Sequence, residues 1–292
     1  MRTLGKLFII FTALLALAVA FAWRHFTAPA TPETAPRTTA SQRPTAGASA
    51  PAPASSIHSP GAPATDAVSA FEALKQRAKE GDAVSQRLLA QAYEACFLAN
   101  LSRANFIRSY QFVQKQKPEQ AAEVDRVVQQ RVRQCDAVEG GAIIPVHLIN
   151  SWYAQAAANG DLASRAVMIA RQPLTPDTAT TTQFMEDLVA SGDPAAMYSL
   201  GNSLGERFAS HVDEPYRALA YGPLSGMAWT VAACRMGYDC GRDSMAATTF
   251  CLSLSRCEGE TVEELLFAIA PDDKQRQALE QKVQQILEAV AP

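Results

Sequence analysis

Residues Ser151 to Leu162, SWYAQAAANGDL, read as the end of one helix and the start of the next. Gly160 is the residue type a helix C-terminus favours, because without a Cβ it takes the left-handed conformation at little cost. Asp161 can accept backbone N–H bonds as an N-cap and puts negative charge at the positive end of the following helix. A join this short folds the two helices back as an antiparallel pair. The dipeptide recurs at Gly81-Asp82 and Gly192-Asp193, and the flanking positions match. Four residues after the glycines stand Ser85, Ser164 and Ala196; eight after stand Leu89, Met168 and Leu200; eight before stand Ala73, Trp152 and Phe184. An altered fourth copy surrounds Gly237, with Trp229 eight before, Gly241 four after and Met245 eight after. There Tyr238 takes the place of the capping Asp, and Asp239 follows one position late.

The segment from Trp152, WYAQAAANGDLAS, resembles a Sel-like repeat, the tetratricopeptide relative built of stacked helical hairpins. SGDPAAMYSLG from Ser191 matches the second half of such a unit, and EGDAVSQRLLAQAY from Glu80 matches it more loosely. The glycine spacings of 79, 32 and 45 residues are irregular beside a period in the mid-thirties to forties, and the first gap has room for one degenerate unit. The resemblance implies an irregular array of antiparallel hairpins, either a Sel-like or tetratricopeptide-like α-solenoid or a more compact helical domain. It also implies adaptor function, since stacked hairpins present a concave face that holds extended segments. Trp152, Phe184 and Trp229 share one repeat position, which reads as core packing between units, with an aromatic-lined groove as the alternative.

Upstream, residues 1–26 read as a signal anchor or signal peptide. Arg2 and Lys6 precede an apolar run over 7–23, at the short limit for a membrane span. Ala18-Val19-Ala20 or Ala20-Phe21-Ala22 would serve as a cleavage site. Retained, the run places the chain in a bacterial inner membrane with a periplasmic domain; cleaved, it leaves a soluble periplasmic protein. No cysteine precedes Cys96, which argues against a lipoprotein anchor. Residues 27–65 are Ala, Pro, Thr and Ser with eight prolines, a composition expected to stay disordered as a linker.

Residues 66–292 form the candidate domain, 227 residues with 21 Lys and Arg against 28 Asp and Glu, a formal charge of −7. That acidity argues against a nucleic-acid partner. Helical periodicity runs almost throughout and no run alternates with period two, so the expected class is all-α. Asp66 can cap the first helix, and Pro118, Pro145 and Pro271 suit helix starts. The last helix carries Leu279, Val283, Ile286, Leu287 and Val290 on one face, which most simply caps the end of the stack.

Six cysteines, an even number in an exported domain, favour disulfides. Cys96 and Cys135 stand apart from the rest and are expected to pair. Cys234, Cys240, Cys251 and Cys257 allow local pairing, 234–240 and 251–257, which the resemblance to cysteine-rich Sel-like proteins favours, or crossed pairing across one hairpin. Neither a zinc site nor a redox pair is expected without C-x2-C. Gly201-Asn202-Ser203-Leu204-Gly205 fits the G-x-S-x-G pattern, but it follows a helix start where a hydrolase elbow needs a strand. His147 and His211 lack catalytic context. No catalytic, cofactor or metal residue is assigned. The expected function is an envelope-tethered scaffold binding an envelope protein or peptide. The alternative is a peptidoglycan-binding module or a cell-wall hydrolase using carboxylates among Glu186, Asp187, Glu206, Glu263 and Glu264.

Overall fold

Gly81, Gly160, Gly192 and Gly237 all take positive φ, +95°, +94°, +58° and +101°. They lie in a computed structural model that describes residues 64–171, 177–204, 206–257, 259 and 261–290. The apolar run over 7–23 and the linker up to residue 63 lie outside the described residues.

In chain order the elements are α1 (Ala64–Lys79), α2 (Ala83–Leu101), α3 (Arg103–Gln116), a 3-10 turn (Pro118–Gln120), α4 (Ala121–Ala137) and a second 3-10 turn (Glu139–Gly141). Then come α5 (Val146–Ala158), α6 (Leu162–Arg171), α7 (Thr178–Ser191), α8 (Pro194–Ser203), α9 (Glu206–Ala209) and α10 (Arg217–Ala220). The chain continues with α11 (Ser225–Arg235), α12 (Met245–Leu254), α13 (Val262–Ile269) and α14 (Asp273–Val290). The fold is all-α; among the described residues the only extended pairing is an isolated bridge between Gly241 and Thr261. Asp66 lies in the first turn of α1 rather than at its cap, because the helix already begins at Ala64.

The joins are built as their residues dictate. Asp82 N–H donates to Arg77 O at 3.2 Å, Asp161 N–H to Ala156 O at 2.9 Å and Tyr238 N–H to Ala233 O at 2.9 Å, each closing a helix end through its glycine. Gly192 N–H instead donates to Leu188 O at 3.0 Å, and Pro194 opens the next helix directly. The aspartates cap: Asp82 accepts from Ser85 N–H at 2.7 Å, Asp161 from Ser164 N–H at 2.6 Å and Asp193 from Ala195 N–H at 2.8 Å. The fourth copy departs from this plan. No helix starts at Asp239; the chain loops to Ser244, whose hydroxyl caps α12 by accepting from Ala247 N–H at 3.0 Å. Gly241 and Met245 are therefore out of phase with Ser85 and Leu89. The shared position before the glycines also splits. Phe184 and Trp229 are fully buried and Trp152 is half-buried, whereas Ala73 is exposed. The first hairpin is rotated by one residue and buries Phe71, Leu74 and Ala78 instead.

Successive hairpins stack, α2 on α5, α6 on α8 and α8 on α11, with α14 laid across α11 and α7. On α14, Leu279, Val283 and Ile286 are wholly buried. The first two hairpins are stitched join to join. Arg87 Nε on α2 donates to Asp161 Oδ2 at 2.9 Å, with both residues only 7% exposed. Asn159 Nδ2 donates to Gln86 Oε1 at 2.9 Å, while Gln86 Nε2 donates to Ala78 O at 3.0 Å. Between these hairpins, α3 and α4 form an inserted pair, and Cys96–Cys135 bonds α2 to α4.

The array closes on itself through α12. Tyr238 stacks on Tyr198 of α8 with ring centroids 4.2 Å apart, and Phe250 meets the same ring edge-on. On the opposite side Arg131 of α4 donates to Thr248 Oγ1 and Thr249 Oγ1, each at 3.0 Å. Arg126 of α4 pairs with Asp243 at 2.7 Å, and Gln120 Oε1 accepts from Cys257 N–H at 3.1 Å. Cys251, Leu252 and Cys257 consequently belong to the same buried cluster as Phe71, Leu89 and Val128. Residues 238–257 thus pack against both α4 and α8.

The four clustered cysteines pair locally, Cys234–Cys240 and Cys251–Cys257. Each bond ties the last turn of a helix to the strand of chain leaving it, around a residue at positive φ: Gly237 at +101° and Ser255 at +51°. Such a reversal returns the chain to its own helix end, so the nearest thiol is the one six residues on.

Asp161→Ala removes both a cap and the counter-charge of a buried arginine, and should destabilise the domain by about 3–5 kcal/mol. Asp82→Ala removes a cap alone and should cost about 1 kcal/mol. Urea unfolding of the two variants checks the ratio; equal losses would mean that the Arg87 pair contributes nothing.

Candidate functional site

A close helix crossing lies beside a cavity. Gly201 on α8 passes so close to α11 that a Cβ there would lie 2.4 Å from Thr230 Oγ1 and 2.8 Å from Gly226 O. A Cβ on Gly226 would in turn lie 2.8 Å from Gly201 O. Only glycine fits at either position without backbone movement. Below this crossing the end of α8, α10, the turn over 221–223 and the start of α11 surround a cavity of about 640 Å³. Its apolar wall includes Leu204, Met227, Phe250 and Leu266, and its polar groups include Asn202 and Thr230. Among the described residues, no lining residue carries a formal charge. Tyr221 lines the cavity while 56% exposed.

The walls are held from behind. Gly222 takes φ +110°, and Ser225 Oγ donates to Tyr221 O at 2.6 Å, which closes the turn. Trp229, wholly buried, donates from Nε1 to Leu219 O at 3.1 Å and fixes α10. Lys282 on α14 donates to Ala218 O and to Tyr221 O. The shared aromatic position of the joins therefore supports this site without lining it.

The G-x-S-x-G pentapeptide lies here and its role is steric. Ser203 is the last residue of α8, with no strand before it, and Gly201 is the crossing glycine. His147 is exposed on the first turn of α5, and His211 contributes its backbone carbonyl as an acceptor for Thr181 Oγ1. Two of the candidate carboxylates, Asp187 and Glu263, are held in ion pairs. Asp187 pairs with Arg165 at 2.6 Å; Glu263 and Glu280 share Arg235, each at 2.7 Å. Glu206 has no described side chain.

The cluster most like a catalytic one is Lys75, Tyr93 and Glu139, and its geometry is structural. Glu139, Gly140 and Gly141 run at positive φ, +51°, +62° and +77°. Lys75 Nζ donates to Glu139 at 2.6 Å and Tyr93 Oη donates to it at 2.5 Å, holding this left-handed turn. Burial, together with the Glu139 hydrogen bond, pushes the Tyr93 phenol well up, so it is no base. Burial works to raise Glu139, but the Lys75 and Tyr93 hydrogen bonds leave its carboxyl below the ordinary range, so it is no acid. Comparison with protein families, curated proteins and solved structures finds no match.

Gly201→Val should destabilise the domain by about 3 kcal/mol or more, because backbone must move to admit the side chain; calorimetry checks this, and an unchanged melting temperature would refute the crossing. The charge pairs predict an acid transition. Hydrogen bonds from Arg126 hold Glu123 down at about 2, and Arg235 holds Glu280 down at about 2, both from an ordinary value of 4.5. Carboxyls depressed on folding stabilise above the unfolded value and lose that contribution as pH falls through the folded one. Stability should therefore decline between about pH 4.5 and 2, and the double variant Glu123→Gln, Glu280→Gln should show a shallower decline in pH-dependent unfolding.

Proposed function

We propose that this chain is an envelope-tethered scaffold that binds another protein or a peptide and performs no chemistry itself. The Sel-like resemblance of the joins and the exported character of the N-terminal sequence motivate this reading, and three disulfides suit a domain held in an oxidising compartment. The observation that carries it is the 640 Å³ cavity between α8, α10 and α11, whose described lining is uncharged. A concave pocket of this size with mostly apolar walls and a few polar groups is suited to binding. Acid–base hydrolysis would need a carboxylate or imidazole in the wall, and the described lining residues include neither. Since residues 238–257 pack against both α4 and α8, the binding surface is this cavity rather than a concave face. Its occupant is a partner segment without charge that carries a large apolar side chain, with Asn202 and Thr230 positioned to meet its backbone.

A photo-reactive residue in place of Tyr221 tests this in living cells. One dominant protein adduct is expected, reduced about tenfold or more by Met227→Arg with the circular dichroism spectrum retained, and competed by a synthetic peptide copied from the cross-linked segment. Adducts insensitive to Met227→Arg would refute the site. Recovery of glycan fragments, with sedimentation on insoluble peptidoglycan, would replace the scaffold with a wall-binding module.

A further inference from the structure

Two arginines are buried where the first half of the domain meets its neighbours, and they are treated differently. Arg87 has a carboxylate, Asp161, at 2.9 Å. Arg131, 5% exposed, has none among the described residues. Its guanidinium donates to three neutral oxygens, Ala95 O, Thr248 Oγ1 and Thr249 Oγ1, each at 3.0 Å, and its Nε is buried without a partner. Neutral acceptors satisfy hydrogen bonds but do not cancel the charge, and a buried cation left uncompensated is costly. Desolvation by burial lowers Arg131 to about 10, which still leaves it charged at neutral pH. The same side chain lines a small cavity of about 30 Å³ against Ala92, Ala95, Gln134, Val138 and Met245. Gln134 is the one other polar side chain in that wall.

We infer that this cavity is a site for one small monovalent anion of the size and charge of chloride, held by Arg131. A space of this volume admits about one water-sized particle. It excludes sulfate, phosphate and any carboxylate-bearing molecule. A water there would supply an acceptor without neutralising the guanidinium, whereas a halide does both. The rest of the wall is apolar, with Phe71, the Cys96 disulfide and Met245 among alanines and Val138, which suits a large, weakly hydrated ion better than fluoride. The site joins α1, α2, α4 and the first turn of α12, so its occupancy couples the N-terminal helices to a helix more than a hundred residues later.

The test uses the purified full chain at constant ionic strength, exchanging gluconate for chloride. The melting temperature should rise with the logarithm of chloride concentration above the dissociation constant, by about 3–6 °C at ten times that constant, and bromide should act likewise. Sulfate should not reproduce that rise. Arg131→Met should abolish the halide dependence. Should that variant fail to fold, the chlorine NMR line decides: the wild-type protein should broaden it, and excess bromide should restore it. A melting temperature equal in chloride and gluconate, or a line unaffected by the protein, would overturn the site, as would an equal effect of sulfate.

Discussion

The ion pair between Arg87 and Asp161 sets the register of the first two hairpins, and the remaining helices are placed relative to them. Asp161 is used twice: Oδ1 accepts from Ser164 N–H at 2.6 Å and starts α6, while Oδ2 accepts from Arg87 at 2.9 Å. A side chain that must begin one helix and neutralise another has little freedom. The stack therefore cannot slide by a turn without leaving a charge in the core. Asn159, two residues earlier, repeats the constraint through Gln86. From this fixed point α6 carries α8, and α8 meets α11 through Gly201 and Gly226. The cavity lies beside that last crossing.

Open helical arrays bury only nearest-neighbour surfaces, so each unit depends mainly on the next. This domain breaks that rule at one place. The loop after Gly237 postpones the return helix, and Tyr238 to Cys257 turn inward to meet α2, α4 and α8. The polar groups this brings inside find partners: Tyr198 and Tyr238 stack, and Thr248 accepts from Arg131 while donating to Ser244 O. Part of this segment becomes interior, and its Phe250 also lines the cavity beside α8 and α11.

How far the sequence disclosed this depended on whether the signal was local. Three Gly-Asp joins were legible because capping and left-handed turns depend on adjacent residues. One of the two local disulfides had a comparable mark, Cys234-x2-Gly237-x2-Cys240, in which the glycine sits at the reversal; the other reverses at Ser255, and its spacing left local and crossed pairing open. The phase of the first hairpin was misjudged, since Ala73 matched by counting whereas Phe71 and Leu74 carry the burial. The departure at Gly237 had a visible sign in the missing Asp, although nothing nearby showed where the chain would go. The cavity and Arg131 were not legible at all. The cavity depends on Gly201 meeting Gly226, and Arg131 meets hydroxyls 117 and 118 positions away. No periodicity encodes such encounters; the weak hint at Gly201 was a glycine inside a helical pattern.

The inward turn of α12 also governs the order in which this chain can fold as it is made. Ribosomes deliver the N-terminal hairpins first, and the apolar surfaces of α1, α2 and α4 form early. Their cluster is completed by Cys251, Leu252 and Cys257, which arrive more than a hundred residues after Val128. Until then Arg131 lacks two of its three acceptors, and part of the early core stays open to water. A nascent chain of this design has no finished first half to leave behind it; the early hairpins stay incomplete until residues 251–257 arrive.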